Sequence, residues 1–289
     1  MKFVAVLALV FVLFANGCGA PSSPASSKRT KRAASRKSQQ EAIEAIKKLG
    51  GKVTLDKAGN AVIVALSDPF AIADGPKISD ETLLQMQVLP SLKKLDLRAT
   101  KISDAGLAHL KGLTNLETLI LNGTRITDKG LVNLKGMSKL KNLYLIQTKI
   151  TDAGLEHLKG MTGLRELSLS FTKVTDAGLA HLKRMTDLEE LSLRNAIISD
   201  AGLAHLKGMT KLKLLWISGT GISDAGLEQL KGMKNLQNLS LRSTHITDAG
   251  LVYLKKMTTL LELTLQFTKI SDNGIKELRK ALPNCKIVS

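Results

Sequence analysis

A 24-residue unit is written eight times in succession between residues 92 and 283, with no insertion or deletion between copies. The copies begin at Leu92, Leu116, Leu140, Leu164, Leu188, Leu212, Leu236 and Leu260 and share the pattern L-x-x-L-x-L-x-x-T-x-I-[S/T]-D-x-G-L-x-x-L-[K/R]. A fixed period of this size predicts a solenoid, because one such unit buries its apolar face only against its neighbours. A solenoid offers one long surface rather than a pocket, which points to binding before it points to chemistry.

Within a unit, Leu92, Leu95 and Leu97 include the period-2 spacing of a short strand with one buried face. Successive strands separated by a crossover element must pair in parallel. The second half, Asp104 to Lys111, changes to helical spacing, with Leu107 and Leu110 three apart. Ser103-Asp104 and its equivalents stand where a helix should start, and the sequence assigns the Asp column, Asp104 to Asp272, to N-capping rather than to a calcium ladder. Lys111 and its equivalents suit the helix C-terminus, and Gly112 and its equivalents are expected to end it as C-caps. The Gly106 column implies close backbone packing or a special dihedral, and the methionines from Met137 to Met257 are expected to fill core. The Thr100 to Thr268 column, interrupted only by Ala196, is expected to bond backbone in the turn after each strand.

The L-x-x-L-x-L core, present in every copy but for Ile217 at the last position of the sixth, resembles the leucine-rich repeat family over about two-thirds of the chain. The I-[S/T]-D-x-G-L continuation is similar to the cysteine-containing subclass of substrate-recognising F-box proteins and to many bacterial proteins with the same Thr variant. The resemblance implies an α/β horseshoe, with a parallel β-sheet on the concave face and short helices on the convex face. It implies no particular partner, since the family binds very different ones.

The ends differ from the array. Residues 38–91 are expected to form an N-terminal cap: a helix opened by a capping box at Ser38-Gln39-Gln40-Glu41, a hairpin around Asp56 to Asn60, and a degenerate half-repeat from Ile78 to Leu89. Residues 284–289 are expected to add an edge strand without a dedicated cap. Met1-Lys2 and the apolar run Phe3 to Ala15 have the form of an export signal over residues 1–17. Ala15-Asn16-Gly17-Cys18 resembles a lipoprotein signal in which Cys18 is acylated, with ordinary cleavage nearby as the alternative. Residues 18–37, rich in Ser and Pro with six basic and no acidic residues, are expected to be a disordered tether attracted to anionic surfaces. The expected location is the cell envelope, anchored at the membrane through that N-terminus; a secreted or periplasmic soluble protein is the alternative. With Cys18 acylated, Cys285 has no intramolecular partner.

On the sheet face, the middle strand positions read Asp96, Ile120, Tyr144, Ser168, Ser192, Trp216, Ser240 and Thr264. Ile120, Tyr144 and Trp216 stand out, with Ile146 and Leu214 beside them on the same strands. Arg98, Arg194 and Arg242 share the next outward column, and Phe171 and Phe267 follow at its edge. Exposed aromatics in a concavity act as binding anchors, so Ile120, Tyr144, Ile146, Phe171, Arg194, Leu214, Trp216 and Arg242 form the predicted partner-binding set.

The net charge of +17 arises from the tether, the helix-ending lysines and a run after the strands at Lys101, Arg125, Lys149, Lys173 and Lys269. Behind an export signal, such stripes suit anionic lipid or polysaccharide better than nucleic acid. His109, His157, His181 and His205 recur at one helix position, but stacked helices hold them too far apart to share a metal ion. No nucleophile elbow, phosphate loop or paired-carboxylate motif is present, so neither catalysis nor a cofactor is expected. The sequence therefore predicts a binding protein that takes a protein partner on its concave face, or else an adhesive envelope component held by its basic stripes.

Overall fold

The structure, a computed structural model, describes residues 24–66 and 78–289. The expected export signal, Cys18 and the first tether residues lie outside the described residues. Met1–Ser38 and Gln39–Ser289 form two units.

The helix Pro24–Lys48 corrects the sequence reading at two points. Residues from Pro24 onward are helical rather than a disordered tether, and Ser38 lies inside the helix instead of capping it. Proline suits the first helical position, and no Gly or Pro follows until Gly50. Ser38 Oγ donates to the Ala34 carbonyl at 3.2 Å. Ala42, Ile43 and Ile46 are buried in the core of the second unit. Gly50, at φ 83°, ends the helix in the left-handed conformation, and the Gly51 N–H donates back to the Ile46 carbonyl at 3.0 Å.

Among the described residues eleven strands form one sheet in sequence order. The hairpin β1 (Lys52–Leu55) and β2 (Ala61–Ala65) is antiparallel. From β2 onward every pairing is parallel, through β3 (Lys94–Asp96), β4 (Thr118–Ile120), β5 (Asn142–Tyr144), β6 (Glu166–Ser168), β7 (Glu190–Ser192), β8 (Leu214–Trp216), β9 (Asn238–Ser240), β10 (Glu262–Thr264) and β11 (Lys286–Val288). Leu95, Leu119, Leu143 and their successors align without a slip because each return through a helix has the same length. These leucines, with Leu107 and Leu110 and their equivalents from the helices, form one continuous core. The half-repeat appears as a 3-10 helix over Asp80–Val88 that buries Thr82, Leu83 and Met86.

The Asp column works between repeats, not within its own helix. Each short helix begins at its Asp, and the preceding Ser or Thr is the N-cap: Thr175 Oγ1, for example, accepts from the Ala177 N–H at 3.3 Å. The Asp carboxylate instead reaches the N-cap residue of the following repeat. Asp152 Oδ1 accepts from the Thr175 N–H at 2.7 Å, and its Oδ2 from the Thr175 hydroxyl at 2.6 Å. The same two bonds join Asp80 to Ser103, Asp104 to Thr127, Asp128 to Thr151, Asp176 to Ser199, Asp200 to Ser223, Asp224 to Thr247 and Asp248 to Ser271.

The glycine column makes room for this contact. A Cβ on Gly178 would fall 2.3 Å from Asp152 Oδ1, and one on Gly130 2.4 Å from Asp104 Oδ1. Ser/Thr, Asp and Gly are therefore three parts of one latch that recurs at each repeat junction.

The Thr column behaves as the sequence predicts, with Thr100 Oγ1 donating to the Leu97 carbonyl at 2.7 Å and its equivalents doing the same. The expected C-cap glycines do not adopt positive φ. Left-handed backbone falls at the residue before the Thr column instead: Ala99, Gly123, Gln147, Phe171, Asn195, Gly219, Ser243 and Phe267. There the N–H of Phe171 donates to the Arg194 carbonyl of the next repeat at 2.8 Å, so an inter-repeat bond holds the strained residue.

Candidate functional site: the open sheet face

The alternate strand residues that point away from the leucine core form the face on which the sequence places a partner. Parallel register puts Tyr144, Ser168, Ser192 and Trp216 in one row across β5 to β8. At a strand spacing of about 4.8 Å, the two aromatics stand about 14 Å apart, separated by small side chains. That row becomes a shallow depression of about 230 Å³ with Tyr144 and Ile146 on one side, Trp216 and Arg194 on the other, and Ser168 and Ser192 between.

Of the eight predicted residues, four converge there: Tyr144, Ile146, Arg194 and Trp216. Arg242 lies in an adjoining cavity that it shares with Arg194. Leu214 is half-buried on β8, and Phe171 projects at the rim, 54% exposed. Ile120 is a correction. Flanked in register by Asp96 and Tyr144, it is only 5% exposed, because large neighbours on adjacent strands cover an outward position. Asp96, Ser168 and Ser240 are buried for the same reason, although alternation alone places them in solvent.

The electrostatics of the depression come from residues that the sequence reading passed over. Glu166 and Glu190 line it, one position ahead of the strand leucines, where Glu262 is the one other acid and the remaining repeats carry Lys, Thr, Asn or Leu. The signal was two acids in consecutive copies of a column that is otherwise mixed. The Tyr144 hydroxyl donates to Glu166. Burial, then Glu166, raises the Tyr144 phenol well above its ordinary range. Burial, followed by Glu166 and Glu189, raises the Glu190 carboxyl. Ser168 Oγ, buried within the row, has no hydrogen-bond partner among the described residues, whereas Ser170 and Ser192 bond each other at 2.7 Å.

The guanidinium of Arg194 lies over the Trp216 ring at 5.4 Å and that of Arg242 over the Phe267 ring at 4.9 Å. Arg98, in the same column, is instead paired to Asp96 at 2.8 Å.

Elsewhere many lysines pair across repeats, as Lys213 does with Glu189 at 2.6 Å and Lys141 with Glu117 at 3.1 Å. The run Lys101, Arg125, Lys149, Lys173 and Lys269 is exposed and, among the described residues, has no carboxylate partner. A hollow of about 270 Å³ on the helix side is lined by Lys231, Lys234 and Lys256. No helix among the described residues is long and apolar enough to cross a membrane.

Comparison with known proteins agrees with this architecture. Two leucine-rich repeat family profiles match, one over residues 114–174 and the other over 88–110, 232–255 and 256–278. No curated protein gives a significant match. Among solved structures, internalin C2 from Listeria monocytogenes is 25% identical and superimposes with a TM-score of 0.57, covering 75% of this chain and 87% of its own. A leucine-rich repeat protein of Leptospira interrogans is 20% identical with a TM-score of 0.54, covering 71% of this chain and 56% of its own. The ectodomain of the Arabidopsis thaliana receptor kinase GASSHO1/SCHENGEN3, solved in complex with CASPARIAN STRIP INTEGRITY FACTOR 2, is 18% identical with a TM-score of 0.53. That match covers 81% of this chain but only 27% of the receptor. With its in-register parallel sheet, its leucine core and these matches, the chain has the leucine-rich repeat fold, and leucine-rich repeat family models match parts of its array.

Proposed function

We propose that this protein is a non-catalytic binding module that takes a protein partner on its open sheet face, across β5 to β9. The observation that carries the reading is the convergence of Tyr144, Ile146, Trp216 and Arg194 on one depression above small serines. The chain has one Trp and two Tyr, and Trp216 and Tyr144 both face this depression. Aromatic and Arg side chains on a rigid sheet are the residue types that dominate interface energies. Leucine-rich repeat domains commonly serve as interaction scaffolds, and one structural neighbour was solved with a bound partner. The partner-binding set becomes Tyr144, Ile146, Arg194, Trp216 and Arg242, with Phe171 at the rim; Ile120, on the same face but covered by its neighbours, packs beside Tyr144.

The test is capture from envelope extract by the wild type and by a Tyr144→Asp/Trp216→Asp double variant, at low and high salt. A discrete protein retained at high salt and lost with the variant is expected. The exposed basic run supports one second reading, adhesion to anionic lipid or polysaccharide, for which capture would ignore the variant and vanish with salt. Export and anchoring through acylated Cys18 belong to the same proposal and rest on the N-terminal sequence. Incorporation of labelled palmitate that Cys18→Ala abolishes is the expected result; equal incorporation in the variant overturns it.

A further inference from the structure

Granted that the sheet face binds a protein, as proposed above, the arginine column specifies what that protein must present. Arg98, Arg194 and Arg242 occupy the same position in their repeats, yet among the described residues only Arg98 has a counter-charge. Asp96, two residues before it, accepts from its guanidinium at 2.9 and 2.8 Å. The equivalents of Asp96 beside the other two arginines are Ser192 and Ser240. Among the described residues, no carboxylate pairs with Arg194 or Arg242.

Both arginines line one cavity of about 370 Å³, with Ser218, Gly219 and Ser240 between them. Gly219 contributes no side chain to that space, and Ser218 and Ser240 bond each other at 2.7 Å. Each guanidinium carbon lies over an aromatic ring, a contact that occupies the π-face and uses none of the five N–H donors of an arginine. Two cations on a hydroxyl-lined cavity without counter-charge select an anion, and a planar N–H fork matches a carboxylate.

Position fixes the rest. Arg194 is the wall common to this cavity and to the Tyr144–Trp216 depression. Glu166 and Glu190 line the depression and would repel an acidic group placed there. We propose that the partner docks an extended segment across the strands, with an Asp or Glu seated between Arg194 and Arg242. An apolar side chain a few residues away fills the depression between Tyr144 and Trp216, over the Ser168 hydroxyl, which has no partner among the described residues.

A random-peptide library panned on the full chain tests this. Selected sequences are expected to pair an acidic residue with a nearby aromatic or aliphatic one. Trp216, the single tryptophan and the ring under Arg194, reports titration of one selected peptide by its fluorescence. Affinity should fall about tenfold or more in Arg194→Gln/Arg242→Gln, and as far when the peptide's acid is changed to its amide. Combining the two changes should add little, because both remove the same contact. Peptides that need Tyr144 and Trp216 but show neither acidic enrichment nor sensitivity to the arginine variant overturn this inference and leave the binding face standing. Peptides insensitive to both pairs of substitutions overturn the binding face as well. Arg194 and Arg242 are exposed, so an unchanged circular dichroism spectrum is expected to separate lost binding from lost fold.

Discussion

At the scale of single residues, two phenylalanines and one glutamate show where the array departs from its own optimum. Phe171 and Phe267 sit at φ 57° with 54% and 72% of their surface exposed, in a column where two copies use glycine. A bulky residue in the left-handed region costs about 1–2 kcal/mol, and exposed rings regain little of that in the core. Phe171→Gly is therefore expected to raise stability by up to about 1 kcal/mol, once glycine's larger unfolded-state entropy is counted, while weakening partner capture. Urea melts and the capture assay read the two effects separately.

Glu190 makes a pH-dependent counterpart. Its pKa is raised in the fold, chiefly by burial and then by Glu166, so the folded chain holds that proton longer than the unfolded one. The fold thus loses stability as pH climbs through the window just above the ordinary glutamate value, and no such loss exists below it. Glu190→Gln should melt higher than wild type at neutral pH and lose that advantage in acid.

At the scale of the element, the latch between repeats is the feature that matters most. Asp152 joins Thr175 through two charge-assisted bonds, and Gly178 packs against the same carboxylate. Asp152→Ala is expected to cost about 1–3 kcal/mol by leaving the Thr175 N–H and hydroxyl without their acceptor. Gly178→Ala should cost a similar amount by forcing the carboxylate aside. Asp272 supplies the internal control. It occupies the same column in the last repeat, is exposed, and its side chain makes no hydrogen bond among the described residues, so Asp272→Ala should change stability by less than about 0.5 kcal/mol. Equal losses at Asp152 and Asp272 would refute the latch and restore N-capping as the role of the column.

At the scale of the whole repeat array, each unit is held by its neighbours, and the repeat that begins at Leu260, flanked by β11 rather than by a full unit, is the more exposed. Ile270 and Thr268 are partly exposed where their equivalents Ile102 and Thr100 are buried. The Asp248 latch to Ser271 is also exposed. The Ser271 hydroxyl and then its N–H hold the Asp248 carboxyl below the ordinary aspartate range. Its contribution is present above that range and lost as pH falls through it. Hydrogen exchange should accordingly be faster at Ser271 than at Thr175, with the gap widening in acid. Uniform protection along the array would contradict additive nearest-neighbour stability.

The 24-residue period with its alternating leucines determined the strand order, the parallel pairing, the buried core and the Thr turns, because those depend on contacts whose spacing the repeat itself states. It also marked Tyr144, Trp216 and Arg194 as unusual occupants of an outward position. Tertiary structure alone decided how columns act on one another. Asp meets Ser or Thr only once successive repeats are stacked, and the glycine is needed only because that carboxylate arrives from the repeat before. The same stacking buries Ile120 beneath its neighbours, brings Glu166 and Glu190 into the depression, and leaves Arg194 and Arg242 beside serines where Arg98 has an aspartate. Alternation says which way a side chain points; what meets it there is set by residues on adjacent strands, whose proximity is a property of the folded sheet.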